Sequence, residues 1–257
     1  MVYFGLIGHP LGHSFSQAYF TEKFAREKID ARYENFDIEN LAQFLSSLRG
    51  PRAKRGGTKQ SIRGFNVTIP YKEAIIPYLD EIDETAKEVG AVNTVKVLEN
   101  SRLKGFNTDI IGLEVVLFET LSVRGTSKGT SVTPALIMGT GGASKAVQYV
   151  LKKHNINFHL VSRDPSKGHF TYETLTPDVI KQHLLIINAT PVGMAPNIDE
   201  APVIPYEALT SEHVLFDLIY NPEETLFLKR GKERGAKTIN GLSMLYAQAE
   251  ASWRIWE

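Results

Sequence analysis

Asn66, Thr68 and Lys72 lie close together in NVTIPYK, two polar side chains at alternate positions followed by an amine. In an extended segment, side chains at i and i+2 point to the same side. Asn66 and Thr68 would therefore share a wet face while Val67 and Ile69 turn toward a core. Pro70 suits the first turn of a helix, so PYKEAIIPYL reads as helical with Lys72 in its first turn. The partial positive charge at a helix start disfavours a second cation. A purely structural position would avoid lysine there, whereas an enzyme that needs a proton donor or acceptor would not. Asp109 opens another helical stretch, NTDIIGLEVVLFETL. It either caps that helix, a role Asn107 or Thr108 could share, or it supplies the carboxylate partner of Lys72.

A second polar pair, Ser14 and Ser16, sits in the Gly- and Pro-rich GLIGHPLGHSFSQAYF. If that loop is extended, both hydroxyls face one ligand; otherwise Ser16 caps the next helix and Ser14 serves the turn. His9 and His13 in the same loop have the i, i+4 spacing of a zinc motif. Such motifs require a helix, and Pro10 and Gly12 oppose one, so no metal is assigned.

ALIMGTGGASKA places Gly139, Gly141 and Gly142 directly between a buried strand and a helix. Glycine lets backbone amides approach a pyrophosphate closely, and the helix start adds partial positive charge. Ser144 stands at the third fingerprint position, where Gly or Ala is usual; the flanks still point to a dinucleotide. After the next strand comes LVSRDPSK, with Arg163, Asp164 and Lys167. An acid there binds a ribose 2′-hydroxyl and an arginine accommodates a 2′-phosphate. Two cations against one anion favour NADP over NAD. Thr190 and Gly193 in NATPVGM follow a strand end, where ligands gather in open α/β sheets; Met194 reads as core filler. Gln248 is either a surface glutamine or a two-way hydrogen-bonding group turned toward the first half of the chain.

These groups need a scaffold, and the pattern of the 257 residues supplies one. Residues 3–8, ARYENFDI and GFNVTI read as strands, with helices from about Gln17 to Lys28 and from Leu41, the latter capped by Asn40. VNTVKVLE and RLKGF suggest a hairpin turning at Asn100-Ser101, giving a mixed sheet. The second half alternates buried strands (TPALIMG, NFHLVSR, HLLIINAT, HVLFDLIY) with helices, as a doubly wound parallel sheet requires. GLSMLYAQAEASWRIW reads as a C-terminal helix. Acidic and basic residues balance at 29 each, which draws the chain to no polyanion. The basic stretch with Arg49, Arg52, Lys54, Arg55, Lys59 and Arg63 reads as a solvated loop rather than a nucleic-acid patch, because it lacks aromatics. There is no cysteine, no run of about 18 apolar residues to span a membrane, and no export-signal pattern at the start.

Taken in order, the serine loop, GFNVTIPYK, GAVNTV, GFNTD, GTGGASKA, INATPVGM and NGLSMLYAQA resemble the shikimate dehydrogenase family nearly end to end. The resemblance implies a two-domain α/β fold. A mixed-sheet substrate-binding and catalytic domain would span 1–107 and 241–257, and a doubly wound, Rossmann-like NADP-binding domain 108–240. It implies reversible, NADPH-dependent reduction of 3-dehydroshikimate to shikimate, on the way to chorismate and the aromatic amino acids, in the cytoplasm. By motif position, Ser14, Ser16, Asn66, Thr68, Lys72, Asn93, Asp109, Tyr220 and Gln248 would surround the substrate, with Lys72 and Asp109 catalytic. Gly139, Thr140, Gly141, Gly142, Ala143, Ser162, Arg163, Lys167, Thr190, Leu218 and Gly241 would contact NADP. The expected partner is a small molecule, with neither nucleic acid nor membrane, for a monomer or homodimer. Two departures stand out. Gln17, Tyr19 and Phe20 replace the family's usual Pro and His-Asn, and Ser162-Arg163-Asp164 replaces Asn-Arg-Thr. A quinate/shikimate dehydrogenase preferring NAD, or a non-catalytic dinucleotide-binding protein of the same fold, would share much of this pattern.

Overall fold

The computed structural model describes residues 1–12, 14–49, 61–123 and 133–257. The chain divides into two units, residues 1–108 with 249–257, and residues 109–248. His13, Arg52, Lys54, Arg55 and Lys59 lie outside the described residues.

The first unit contains β1 (Val2–Gly8), α1 (Phe15–Glu27), β2 (Ala31–Asp37), α2 (Leu41–Arg49), β3 (Ser61–Val67), α3 (Tyr71–Ala74), β4 (Glu81–Ile82), α4 (Glu84–Val89), β5 (Thr94–Val97) and β6 (Leu103–Phe106). Its sheet runs β2-β1-β3-β5-β6-β4. β1 is parallel to both β2 and β3, while β3-β5 and β5-β6 are antiparallel. The expected hairpin is present, and Asn100 and Ser101 take the positive φ values, 59° and 60°, that tight hairpin turns use. Alternation along β1 feeds two cores. Ile7 joins Phe65, Val67, Ile75, Val92, Val95 and Leu103 on one side. Phe4 and Leu6 pack with Phe20, Phe24, Tyr33, Ala249, Trp253 and Trp256 on the other.

The structure departs from three local expectations. α1 starts at Phe15, not Gln17, with Ser14 as its N-cap accepting the Gln17 N–H at 3.1 Å. Ser16 is therefore helical and not the cap, and the extended i, i+2 argument does not apply to this pair. The helix after Pro70 is only Tyr71–Ala74, followed by a 3-10 turn at Ile76–Tyr78 that contains Pro77; Pro70 is its N-cap. A second proline lacks the N–H that a longer helix would need. Finally, β3 ends at Val67. A turn closed by the Tyr71 N–H on the Thr68 carbonyl (2.9 Å) leads Ile69 outward, 60% exposed rather than in a core.

The second unit contains α5 (Asp109–Val123), β7 (Ala135–Met138), α6 (Gly142–Lys153), β8 (Phe158–Val161), α7 (Pro177–Gln182), β9 (Leu185–Asn188), β10 (Val214–Asp217), α8 (Leu226–Glu233) and β11 (Lys237–Ile239). α9 (Leu242–Trp256) begins in it and ends in the first unit. The order β11-β10-β9-β7-β8 is parallel throughout. β7, β9 and β10 are buried at every position, as parallel strands covered on both faces must be. In sheet order this is the 2-1-3-4-5 winding, whose direction reverses between β7 and β9, the place where such sheets bind ligands. The short α7 and β11 carried no pattern in the sequence. No helix among the described residues is long and apolar enough to cross a membrane.

Candidate active site

In the first unit three of the candidate substrate residues, Ser16, Asn66 and Asn93, belong to one buried polar network. Asn66, 5% exposed, sits at its centre. Its Oδ1 accepts from the Tyr33 hydroxyl at 2.8 Å. Its Nδ2 donates to the Asn93 carbonyl (3.2 Å), Thr94 Oγ1 (3.1 Å) and Ser252 Oγ (2.9 Å). Asn93 in turn accepts the Thr108 N–H at 2.7 Å on its Oδ1. Thr94, Thr108 and Ser252 hydroxyls bond one another at 2.9–3.1 Å. Ser16, buried in α1, hydrogen-bonds Tyr33. Tyr33 already donates to Asn66, so Ser16 must be the donor in that pair. Burial pushes the Tyr33 phenol far up, so it stays protonated and holds these directions.

The expectation of a wet face holding Asn66 and Thr68 thus gives way to a different arrangement. Asn66 is dry and fully bonded within the protein, while Thr68, past the end of β3, is half-buried. Lys72 is the second residue of α3 and half-buried, its carbonyl accepting the Val92 N–H at 2.7 Å. Ser14 caps α1 through a lone pair, which leaves its O–H to donate elsewhere. Asp109 opens the second unit as the first residue of α5 and is 6% exposed; Thr108 precedes it. Tyr220 is half-buried just beyond β10. Gln248 in α9 is 7% exposed, which settles the alternative of a surface glutamine against that reading.

In the second unit, the candidate cofactor residues line the carboxyl ends of the parallel strands. Gly139 leaves β7 at φ +103°, and a Cβ there would lie 2.9 Å from Thr190 Cγ2. Only glycine permits that turn and that approach, which brings the β7 and β9 loops together. Gly141 is the N-cap of α6 with no side chain bonded to the first turn, and open space surrounds it. The α6 N–H groups thus meet the requirement for an anion; Thr140, Gly142 and Ala143 belong to this turn. Ser144, the departure from the fingerprint, is buried and accepts from Gln148 Nε2 at 3.1 Å. At the far loop, a Cβ on Gly241 would lie 2.2 Å from the Leu218 carbonyl oxygen, and its N–H donates to Ile219 at 3.0 Å. Leu218 and Gly241 are thus held side by side.

The loop after β8 decides between the cations and the anion. Asp164 folds back on its own segment, accepting from Ser166 N (3.0 Å) and Ser166 Oγ (2.7 Å) and pairing with Lys167 at 3.3 Å. Those donors hold its carboxyl below the usual range, Ser166 first. Ser162 accepts the Asp164 N–H at 3.1 Å. Arg163 is left exposed between them. The residues present fit a dinucleotide carrying a 2′-phosphate: an uncapped helix start, a glycine turn, and an outward guanidinium beside a self-satisfied carboxylate.

Several contributors had no signature in the sequence. Tyr33 and Ser252 act through contacts with residues distant in the chain. Asn188 and Asp217, both fully buried, bond each other at 3.1 Å beneath the β9 and β10 loops; only their position at strand ends could have flagged them. Met194, expected in the core, is 41% exposed, because the chain has already left the sheet in a turn. Among the described residues no cluster of His, Cys, Asp and Glu could hold a metal ion.

Comparison with known proteins gives consistent matches. Residues 6–95 match the family model described as the shikimate dehydrogenase substrate binding domain. The shikimate dehydrogenase (NADP(+)) of Methanococcus maripaludis is 42% identical over 269 residues, covering 98% of this chain and 90% of that protein. The crystal structure of the Thermus thermophilus enzyme with NADP(H) and shikimate superposes with a TM-score of 0.80 at 32% identity, covering 100% of this chain and 93% of that one. The quinate dehydrogenase of Corynebacterium glutamicum, solved with NAD, gives 0.82 at only 27% identity, with coverage of 99% and 93%.

Proposed function

The chain belongs to the shikimate dehydrogenase family, and we propose how its own residues perform the reaction, the reversible NADPH-dependent reduction of 3-dehydroshikimate to shikimate. The observation that carries the assignment of residues is the network joining Ser16, Tyr33, Asn66, Asn93 and Thr108, which ends one residue before Asp109. It gives the first unit a rigid polar framework suited to a ligand with a carboxylate and several hydroxyls.

Ser14 donates its hydroxyl proton to the substrate carboxylate, and Ser16 joins it by turning from Tyr33. Asn66 acts on the substrate indirectly, by holding Tyr33 and Asn93; Asn93 and Thr68 offer polar atoms to the ring hydroxyls. Tyr220 and Gln248 complete the polar contacts. NADPH, when bound, supplies the hydride. Lys72 hydrogen-bonds the ketone oxygen, stabilises the charge that develops there, and passes it a proton that the amine then recovers from water. Asp109 accepts a hydrogen bond from a neighbouring hydroxyl and fixes the ring's orientation.

Gly139 to Ala143 hold the pyrophosphate, while Ser162, Arg163 and Lys167 receive the 2′-phosphate. Thr190, Leu218 and Gly241 border the remainder of the cofactor. On this reading residues 1–107 with 241–257 serve the substrate and 108–240 the nucleotide. The protein works in the cytoplasm on a small molecule, as a monomer or homodimer.

Initial rates with 3-dehydroshikimate and each reduced cofactor test the reading. A kcat/KM at least tenfold higher with NADPH than NADH is expected, in line with a charge-assisted hydrogen bond from Arg163. A preference for NADH would favour the quinate/shikimate alternative.

A further inference from the structure

The buried pair Asp217–Asn188 lies outside the assigned site, yet it touches every strand-end loop that the cofactor reading uses in β9 and β10. Asp217 is fully buried at the last position of β10. Its Oδ1 accepts from Asn188 Nδ2 (3.1 Å) and the Ile219 N–H (3.0 Å), and its Oδ2 accepts from Thr225 Oγ1 (2.6 Å). Thr225 is the N-cap of α8. Asn188 carries the contact onward: its Oδ1 accepts from the N–H (3.1 Å) and hydroxyl (2.6 Å) of Thr190, and its Nδ2 also reaches the Val192 carbonyl at 3.3 Å.

The direction of this relay has a chemical cause. A carboxylate can only accept, so it forces the amide nitrogen of Asn188 toward itself and the amide oxygen toward Thr190. Reversed, the amide would set an oxygen against the carboxylate and an N–H₂ against the Thr190 N–H. The same carboxylate fixes the Ile219 N–H, and the Ile219 carbonyl accepts from Gly241 at 3.0 Å. A single buried group therefore orients Thr190, the Leu218–Ile219 turn and Gly241.

We propose that Asp217, acting through Asn188 on Thr190 and directly on the Ile219 N–H, is the positioning residue that sets the Thr190 and Leu218–Gly241 loops for the nicotinamide cofactor. This rests on the reading that those loops border NADPH. It differs from a general structural role in predicting that loss falls on cofactor affinity and leaves substrate affinity alone.

Steady-state kinetics of Asn188→Ala, Asp217→Ala, the double variant, Asp217→Asn and Thr190→Val test it. Asn188→Ala keeps two of the three donors on Asp217, so it serves even if Asp217→Ala does not fold. Asn188→Ala and Asp217→Ala should each raise KM for NADPH about tenfold, as loss of a buried hydrogen bond does, with KM for 3-dehydroshikimate changed less than twofold. The double variant should be no worse than Asp217→Ala alone, because Asn188 takes its orientation from Asp217. Asp217→Asn should restore the wild-type value, because its oxygen can serve Asn188 and Ile219 while its nitrogen donates to Thr225. An unchanged KM for NADPH in Asn188→Ala, multiplicative effects in the double variant, or no rescue by Asn would overturn the proposal. Thr190→Val separates the two levels. If it raises KM for NADPH while Asn188→Ala does not, the positioning role fails alone; if it too is silent, the cofactor reading of Thr190 fails.

Discussion

At the scale of single residues, the first unit's site rests on polar groups whose hydrogens are already committed. Tyr33 donates to Asn66 and receives from Ser16 in a dry interior. Replacing it by Phe leaves the Asn66 oxygen without a donor, at a cost of about 1–3 kcal/mol. Urea unfolding of Tyr33→Phe should show that loss; an unchanged midpoint would mean the network carries no strain of unsatisfied groups. Asp217 makes a second, independent case. Burial pushes its carboxyl up to about 6, against an ordinary value of 3.8, despite Thr225, Ile219 and Asn188 pulling the other way. A folded-state value above the unfolded one means the native state holds the proton more tightly. The associated stability is complete below pH 3.8 and is lost as pH rises through about 6. That loss amounts to about 3 kcal/mol. Asp217→Asn should therefore be more stable than wild type at pH 8, with the gap shrinking at pH 4, as thermal melts at both values would show. Equal melting temperatures at pH 8 would contradict the raised value. Ser14 and Asn66 also show where sequence alone misleads. The serine pair invited an extended reading, but the chain turns helical at Phe15, and Asn66 looked solvent-facing until Ser252, far along the chain, closed over it.

At the scale of elements, the proposed reading gives cofactor choice to the loops after β7 and β8. Asp164 shapes its loop by accepting from Ser166 and Lys167, so it is not poised against a phosphate. Asp164→Asn keeps the bond to the Ser166 N–H and should hold the NADPH:NADH preference within about threefold, since an exposed ion pair is worth little. A large gain in NADPH preference would mean that the carboxylate faces the ligand. Arg163→Ala should erode the preference by roughly tenfold or more. The parallel strands were readable because the Leu185–Ile187 and Val214–Phe216 runs are buried on both faces and so are apolar, with polar Asn188 and Asp217 only at the strand ends. The glycine turn was readable because Gly139 needs its positive φ. α7 and β11 were not, being six and three residues long with their polarity set by neighbours. The helix after Pro70 was overdrawn because apolar Ile75 and Ile76 continue the pattern while Pro77 breaks the backbone.

At the scale of the whole molecule, the chain leaves the first unit after Thr108 and returns to it at Ala249. The returning segment completes that unit's core. Trp256, 2% exposed, stacks on Phe4 at 5.0 Å and donates to the Val95 carbonyl at 3.0 Å, and Ser252 joins the Asn66 network. Trp256→Ala should cost about 3–5 kcal/mol in denaturant unfolding, and a smaller loss would mean the first unit stands without its last helix. This return was legible only as a helix with small and aromatic residues; its destination was not, because nothing local names the sheet it covers. The central claim remains chemical: Lys72, in the first turn after Pro70, is the proton donor of a shikimate dehydrogenase. Steady-state kinetics of Lys72→Ala with 3-dehydroshikimate and NADPH test it most directly. The account predicts a fall in kcat of about a hundredfold or more with a much smaller change in KM; a kcat close to that of the wild type would contradict it.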